Sequence, residues 1–346
     1  MKKIAIFSLA LLCSGALVHV LVTSSLLQAV EKESSSKTVQ PERLEEKNEK
    51  SEQTLTSRSQ KEYAFPEFYR GIYLNVVNAK DKTRLKRFIE LAKKSHVNAF
   101  VMDVQSYKYR ECIVPAENVT MCIENGIHPI ARVVVFPNGL SRWPVSDKEI
   151  EAKYRIAEGA AKNGFREIQF DYIRFNDSNR LSHLNLEKRY AFIEGFLKGA
   201  RKRLEHYNVR TAADVFGRIP LNRGDLIGQR MEGLDHAVDI ICPMAYPSHY
   251  TWSTKLQHDP YYTVHWTSSE AQKRTRKAEI VTYIQAFQMR LGPNRYDHYV
   301  REQIRAVHDA GIRGYLLWNA RQEYDVPLQV MRKYYSSDSA RGEQVE

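Results

Sequence analysis

Gly164–Phe175 reads GFREIQFDYIRF. Apolar Ile168, Phe170 and Tyr172 alternate with polar Glu167, Gln169 and Asp171. In a strand, successive side chains point to opposite faces. One face is therefore apolar, and the other carries Gln169 and Asp171 two residues apart. A barrel strand uses such a pattern. Its outer row packs under helices, and its inner row delivers polar groups to a mouth at the C-terminal strand ends. A mixed sheet with one solvated face fits the same alternation. Arg174 follows where the strand runs out.

Working outward, eight strand candidates appear, each followed by helix-like sequence. They are Arg70–Val76, Asn98–Val104, Pro129–Phe136, Glu167–Arg174, Val209–Phe216, Val238–Ala245, Glu279–Phe287 and Arg313–Trp318. Their spacing of about 30 to 40 residues suits repeated βα units. Helices are expected at Lys82–His96, Asp147–Asn163, Leu186–His206 and Arg295–Ala310. Asp81 and Ser146 read as N-caps, and Gly164 and Gly311 as C-terminal stops. Eight such units make an α/β fold, a (β/α)8 TIM-type barrel. An open doubly wound sheet is the alternative, but no phosphate-binding glycine fingerprint follows the first strand. The stretch Pro247–Lys277 reads as a long loop.

A barrel brings strand-end residues to one mouth. Asp103, Asp171 and Asp214 all fall at or near expected strand ends. Hydrolysis of a glycosidic bond uses two carboxyl groups, one protonated and one ionised, and burial and neighbouring charge can split their pKa values. A strand-end aspartate can instead cap a helix or pair with an arginine. Arg174 either orients a carboxylate, binds an anionic substrate group or serves as a structural partner. Tyr246 and His249 follow the sixth strand, and Trp318 ends the eighth. Aromatic faces there stack on sugar rings or seal the barrel top. Trp143, Trp252 and Trp266 fall in expected loops. No histidine-pair zinc pattern, Walker loop or G-x-S-x-G elbow is present, so no metal and no cofactor is implied.

The stretch EIQFDYIRF resembles the signature of the putative glycoside hydrolase domain family found in many exported bacterial proteins. The resemblance continues through Asn98–Asp103, Ile130–Phe136, Ala213–Gly217, Pro243–Tyr250 and Gly314–Ala320, and covers Tyr69 to Tyr324. Two positions depart from the family pattern: Asn176 replaces a proline after the R-F pair, and Gln105 replaces a lysine after D-V. The resemblance implies a TIM-type barrel distantly related to α-amylase-like hydrolases. It places a nucleophile or base at Asp171 and the acid at Asp214. Asp103, Gln169, Arg174, Tyr246, His249 and Trp318 would then bind substrate.

The 346 residues are 43% hydrophobic and 27% charged, with a net charge of +11. A basic surface suits anionic glycans, phospholipid headgroups or nucleic acid. No nucleic-acid-binding motif accompanies it, so no nucleic-acid partner is expected. Lys2 and Lys3 lead into an apolar run from Ile4 to Val22, an export signal or uncleaved anchor. Residues 1–30 are read as that signal or anchor. Residues 31–62, rich in Glu, Lys, Ser and Gln, are read as a disordered linker. Residues 63–335 form the barrel, and 336–346 a disordered tail. The domain is expected outside the cytoplasm, touching membrane only through the N-terminal segment. Cys112 and Cys122 could pair there or stay free. The leading function is hydrolysis of an envelope or extracellular polysaccharide. A non-catalytic, tethered glycan-binding barrel is the alternative.

Overall fold

The computed structural model describes residues 63–105, 111–178, 181 and 183–342. The expected signal or anchor and the linker lie outside the described residues. Contacts separate the chain after Tyr63, and the fold belongs to the unit Ala64–Glu346. No described helix is long and apolar enough to cross a membrane.

The strands are β1 (Tyr69–Leu74), β2 (Ala99–Asp103), β3 (His128–Val134), β4 (Glu167–Asp171), β5 (Arg210–Phe216), β6 (Ile240–Met244), β7 (Glu279–Ile280), β8 (Thr282–Gln285) and β9 (Gly314–Trp318). Neighbours pair in parallel from β1 to β6. β6 then pairs with both β7 and β8, β8 with β9, and β9 with β1. β7 and β8 flank Val281 and share one position, so the ring closes as a (β/α)8 barrel.

The alternation read from GFREIQFDYIRF is visible in the packing. Ile168 and Phe170 join the core between barrel and helices, with Phe165, Phe196 and Leu197. Gln169 points the other way and is fully buried inside the barrel. Its inner neighbours include Cys242 and Tyr283. β4 is shorter than expected, however. It ends at Asp171, because Tyr172 turns to φ 55°. The left-handed region breaks the pleat there, so Arg174 lies in the loop beyond.

The outer helices stand where helical periodicity places them: Lys82–Lys93, Asp147–Lys162, Leu186–Leu204 and Tyr296–Asp309. Asp81 and Ser146 accept the backbone N–H groups of Arg84 and Glu149, capping two of them. Two expectations need correction. Pro247–Lys277 is not one long loop, since it contains a helix at Pro260–Lys273. Asp259 caps it through the Tyr262 N–H. Its buried face uses Thr263, Thr267 and Ser268, whose hydroxyls find Leu256 O, Tyr250 and Thr282. A face built from satisfied hydroxyls gives no apolar period to read. The tail also begins later than residue 336, because the last helix spans Asp325–Gly342.

Candidate active site

The strand C-termini surround a cavity of about 320 Å³ lined by Arg132, Asp171, Arg174, Asp214, Tyr283 and Trp318, among others. Asp171 closes β4 and Asp214 lies in β5, the next strand. The two carboxyl groups sit in different environments, and one residue pairs with Asp171 but not with Asp214.

That residue is Arg132 on β3. In register it stands opposite Asp103 of β2 and Gln169 of β4. Its side chain therefore rises between two inward-facing acids on the flanking strands. Nε donates to Asp171 Oδ2 at 3.0 Å, and Nη2 donates to the same oxygen. Nη1 donates to Asp103 Oδ1 at 2.5 Å. Burial opposes the Arg132 charge, but Asp171 and Asp103 outweigh it and hold the guanidinium firmly protonated. Asp171 and Asp103 thus share one buried guanidinium. The other Asp171 oxygen accepts the Tyr172 N–H at 2.6 Å, so the turn at φ 55° also orients this carboxylate.

Asp214 has no such support. It is 1% exposed, and Oδ1 is buried with no hydrogen-bond partner. Burial pushes its carboxyl well above the usual range, and the negative charge of Asp171 adds to the effect; Arg132 offsets only part. Asp214 is thus a proton-holding carboxyl beside a paired carboxylate. Gln229 fixes its strand end by donating to Asp214 O at 3.1 Å and accepting the Phe216 N–H at 3.1 Å.

The other expected site residues divide by depth. Arg174, Tyr246, His249 and Trp318 line the cavity with the two aspartates. Asp103 does not line it. It stands behind Arg132 and accepts the Tyr73 hydroxyl at 2.6 Å. Gln169 lies in the barrel interior, where it accepts the Tyr283 hydroxyl at 2.6 Å and so positions a lining residue. Tyr246 is only 4% exposed and meets His249 edge-to-face at 5.2 Å. It forms part of the cavity wall. Burial, then Arg290, pulls the His249 pKa below its ordinary value, so this ring is neutral at pH 7. Trp318 packs on Tyr73, with ring centroids 4.2 Å apart, and under Arg132.

The loop tryptophans separate as well. Trp252 is 60% exposed and lines the cavity. Trp143 instead packs on Phe175 and Phe192. Trp266 lies within the helix Pro260–Lys273 and stacks on Tyr262. Cys112 and Cys122 are both free thiols, not a disulfide. Cys122 is buried on the inner face of the helix Ala116–Glu124, and burial raises both thiols. Arg132, Tyr283 and Tyr73 are functional candidates that sequence reading passed over. Arg132 carried a signal: a lone charge within the apolar run Ile130–Phe136 must find a buried partner. Among the described residues, no three His, Cys, Asp or Glu side chains gather as a metal site.

A family model described as "Putative glycosyl hydrolase domain" matches residues 142–324, just over half the chain. Both Asp171 and Asp214 fall within the match. No curated protein matches the chain. Among solved structures, the PgaB (BpsB) glycoside hydrolase domain of Bordetella bronchiseptica is similar at 13% identity and a TM-score of 0.58; the match covers 77% of this chain and 98% of that one. The endo-1,4-beta-mannanase of Rhizomucor miehei matches at 9% identity and a TM-score of 0.59, covering 81% and 96%. The spore cortex-lytic enzyme SleL of Bacillus cereus matches at 13% identity and 0.54, covering 78% and 74%. At these identities the likeness is one of fold.

Proposed function

We propose, from the premise that this chain belongs to the putative glycosyl hydrolase domain family, that its barrel mouth cleaves a glycosidic bond with Asp214 as acid and Asp171 as nucleophile or base. The observation that carries the reading is the split between the two carboxyl groups. Asp214 is buried, without a partner on Oδ1, and favours its proton. Asp171 is held against Arg132 in the same cavity. Glycoside hydrolysis uses such a pair, an acid that holds a proton and a second carboxyl group held in a separate environment.

In this mechanism the Asp214 proton passes to the leaving glycosidic oxygen as the bond to the anomeric carbon breaks. Asp171 then follows one of two courses. It attacks that carbon, forming an ester that water later hydrolyses, or it takes a proton from the water that attacks. The first course retains the anomeric configuration and the second inverts it. Arg132 keeps Asp171 in one orientation, and through Asp103 is itself fixed on the far side. The substrate we infer is a polysaccharide outside the cytoplasm, in keeping with the apolar run after Lys2 and Lys3.

The engagement of Asp171 by Arg132 also favours one competing reading, a barrel that binds glycan without cleaving it. Screening the protein on a polysaccharide panel with reducing-end detection decides between them. Asp171→Asn should lower hydrolysis by more than about 10²-fold while the fold and glycan binding persist. A wild-type rate that survives this substitution would exclude the mechanism. NMR of the first-formed anomer identifies the stereochemical course.

A further inference from the structure

Among the described residues, three guanidinium groups face the cavity, and acids answer two of them. Arg132 is held by Asp171 and Asp103. Arg218 forms a two-pronged pair with Asp225, at 2.8 and 3.1 Å, and reaches Asp177 at 3.2 Å. Arg174 has no carboxylate partner among the described residues. Its Nη1 donates to Phe175 O at 3.1 Å, and its Nε is buried with no acceptor at all. A buried donor left unmade is costly and asks for an explanation.

Arg174 is nonetheless held in place. Its guanidinium lies 4.8 Å from the centre of the Phe216 ring and 5.8 Å from that of Tyr172. Gly139, at φ +79°, makes room for it, since a Cβ there would stand 2.8 Å from Arg174 Nη1. Near it, burial raises the Asp214 carboxyl and lowers the His249 ring, so neither favours its charged form. Among the described residues, Arg174 is therefore the one lining charge without a carboxylate partner, and it shares the cavity wall with both catalytic candidates.

We propose that Arg174 receives a carboxylate of the substrate, so that the polysaccharide is acidic, with a uronate-type sugar seated beside the scissile bond. The inference rests on the hydrolase reading and specifies its substrate class. A planar guanidinium matches a carboxylate in two-pronged fashion, as Arg218 and Asp225 do in the same cavity wall. A neutral sugar would leave the charge unanswered. The net charge of +11 adds a long-range attraction of the right sign.

The test compares an oligohexuronate series with the same series after carboxyl reduction, using the full-chain protein. The wild type should prefer the acidic form by about ten- to a hundredfold in kcat/KM, the worth of a charge-assisted hydrogen bond. In Arg174→Gln that ratio should fall toward one, and Arg174→Lys should recover part of it. Thermal melts confirm that both variants fold. Equal wild-type rates on both forms, or a preference that survives Arg174→Gln, would overturn the carboxylate site and leave the hydrolase intact. A preference for sulfated or phosphorylated oligosaccharides over the hexuronates would overturn the carboxylate assignment. If the wild type cleaves nothing, calorimetric binding of the same pair still tests Arg174, and the hydrolase reading fails separately.

Discussion

Asp214 occupies a place where its ionised form is unwelcome. Burial without a partner is the larger cause, and the Asp171 charge the second. The same two causes raise its pKa and make its ionised form destabilising. Its native pKa is raised, so between the ordinary aspartate range and that raised value the native state holds more protons than the unfolded one. Stability from this group is complete below the ordinary range and declines as pH rises through the native pKa. Asparagine does not titrate. Asp214→Asn should therefore melt higher than the wild type at pH 8, with the gap narrowing toward pH 4. Hydrolysis should meanwhile fall by about 10²- to 10⁴-fold, and less on aryl glycosides whose leaving groups need no proton. The alkaline limb of the wild-type kcat/KM profile should vanish on those activated substrates. A lower melting temperature at every pH would mean that Asp214 is a paired structural anion instead.

At the scale of elements, β3 matters more than its sequence announces. Arg132 is 6% exposed and joins β2 to β4 through two carboxylates. Removing one member of such a group leaves buried charge uncompensated, at a cost of about 3–5 kcal/mol. Arg132→Met should lose that much in urea unfolding, and activity with it. Asp103→Asn should cost less, because Arg132 keeps Asp171. Equal, small losses for both would show the triad to be solvated. The strands and their inward faces were legible because period-two alternation survives wherever a barrel wall separates two cores. Asp171 was placed by alternation with Gln169, and both aspartates by expected strand position and the family resemblance. Arg132 was hidden because its partners lie on other strands, 29 and 39 residues away. The end of β4 was hidden by Tyr172, whose φ of 55° no local glycine or asparagine signals. The helix Pro260–Lys273 was hidden by its hydroxyl-lined face.

At the scale of the molecule, the cavity at the strand C-termini does not stand alone. At about 320 Å³ it lies at the small end of the range for ligand pockets. A second cavity of about 850 Å³ adjoins it, and the two share His249 and Trp318 as walls. The second is lined by Phe287, Met289, Tyr296 and Arg321, among others. Such continuity suits a chain longer than the smaller cavity can hold. Binding contacts remote from the scissile bond should then matter only for substrates long enough to reach them. Met289 is a suitable probe, because it is 45% exposed and its loss leaves the core untouched. Met289→Ala should raise KM a few-fold for long oligosaccharides, in line with about 1 kcal/mol for a lost apolar contact. For the shortest cleavable oligosaccharide KM should stay as it is. On polymer, the wild type should lower viscosity faster than it releases reducing ends, because internal bonds are cut first. A KM change that is the same at every chain length would place the second cavity outside the substrate path, and hydrolysis would then belong to the smaller cavity by itself.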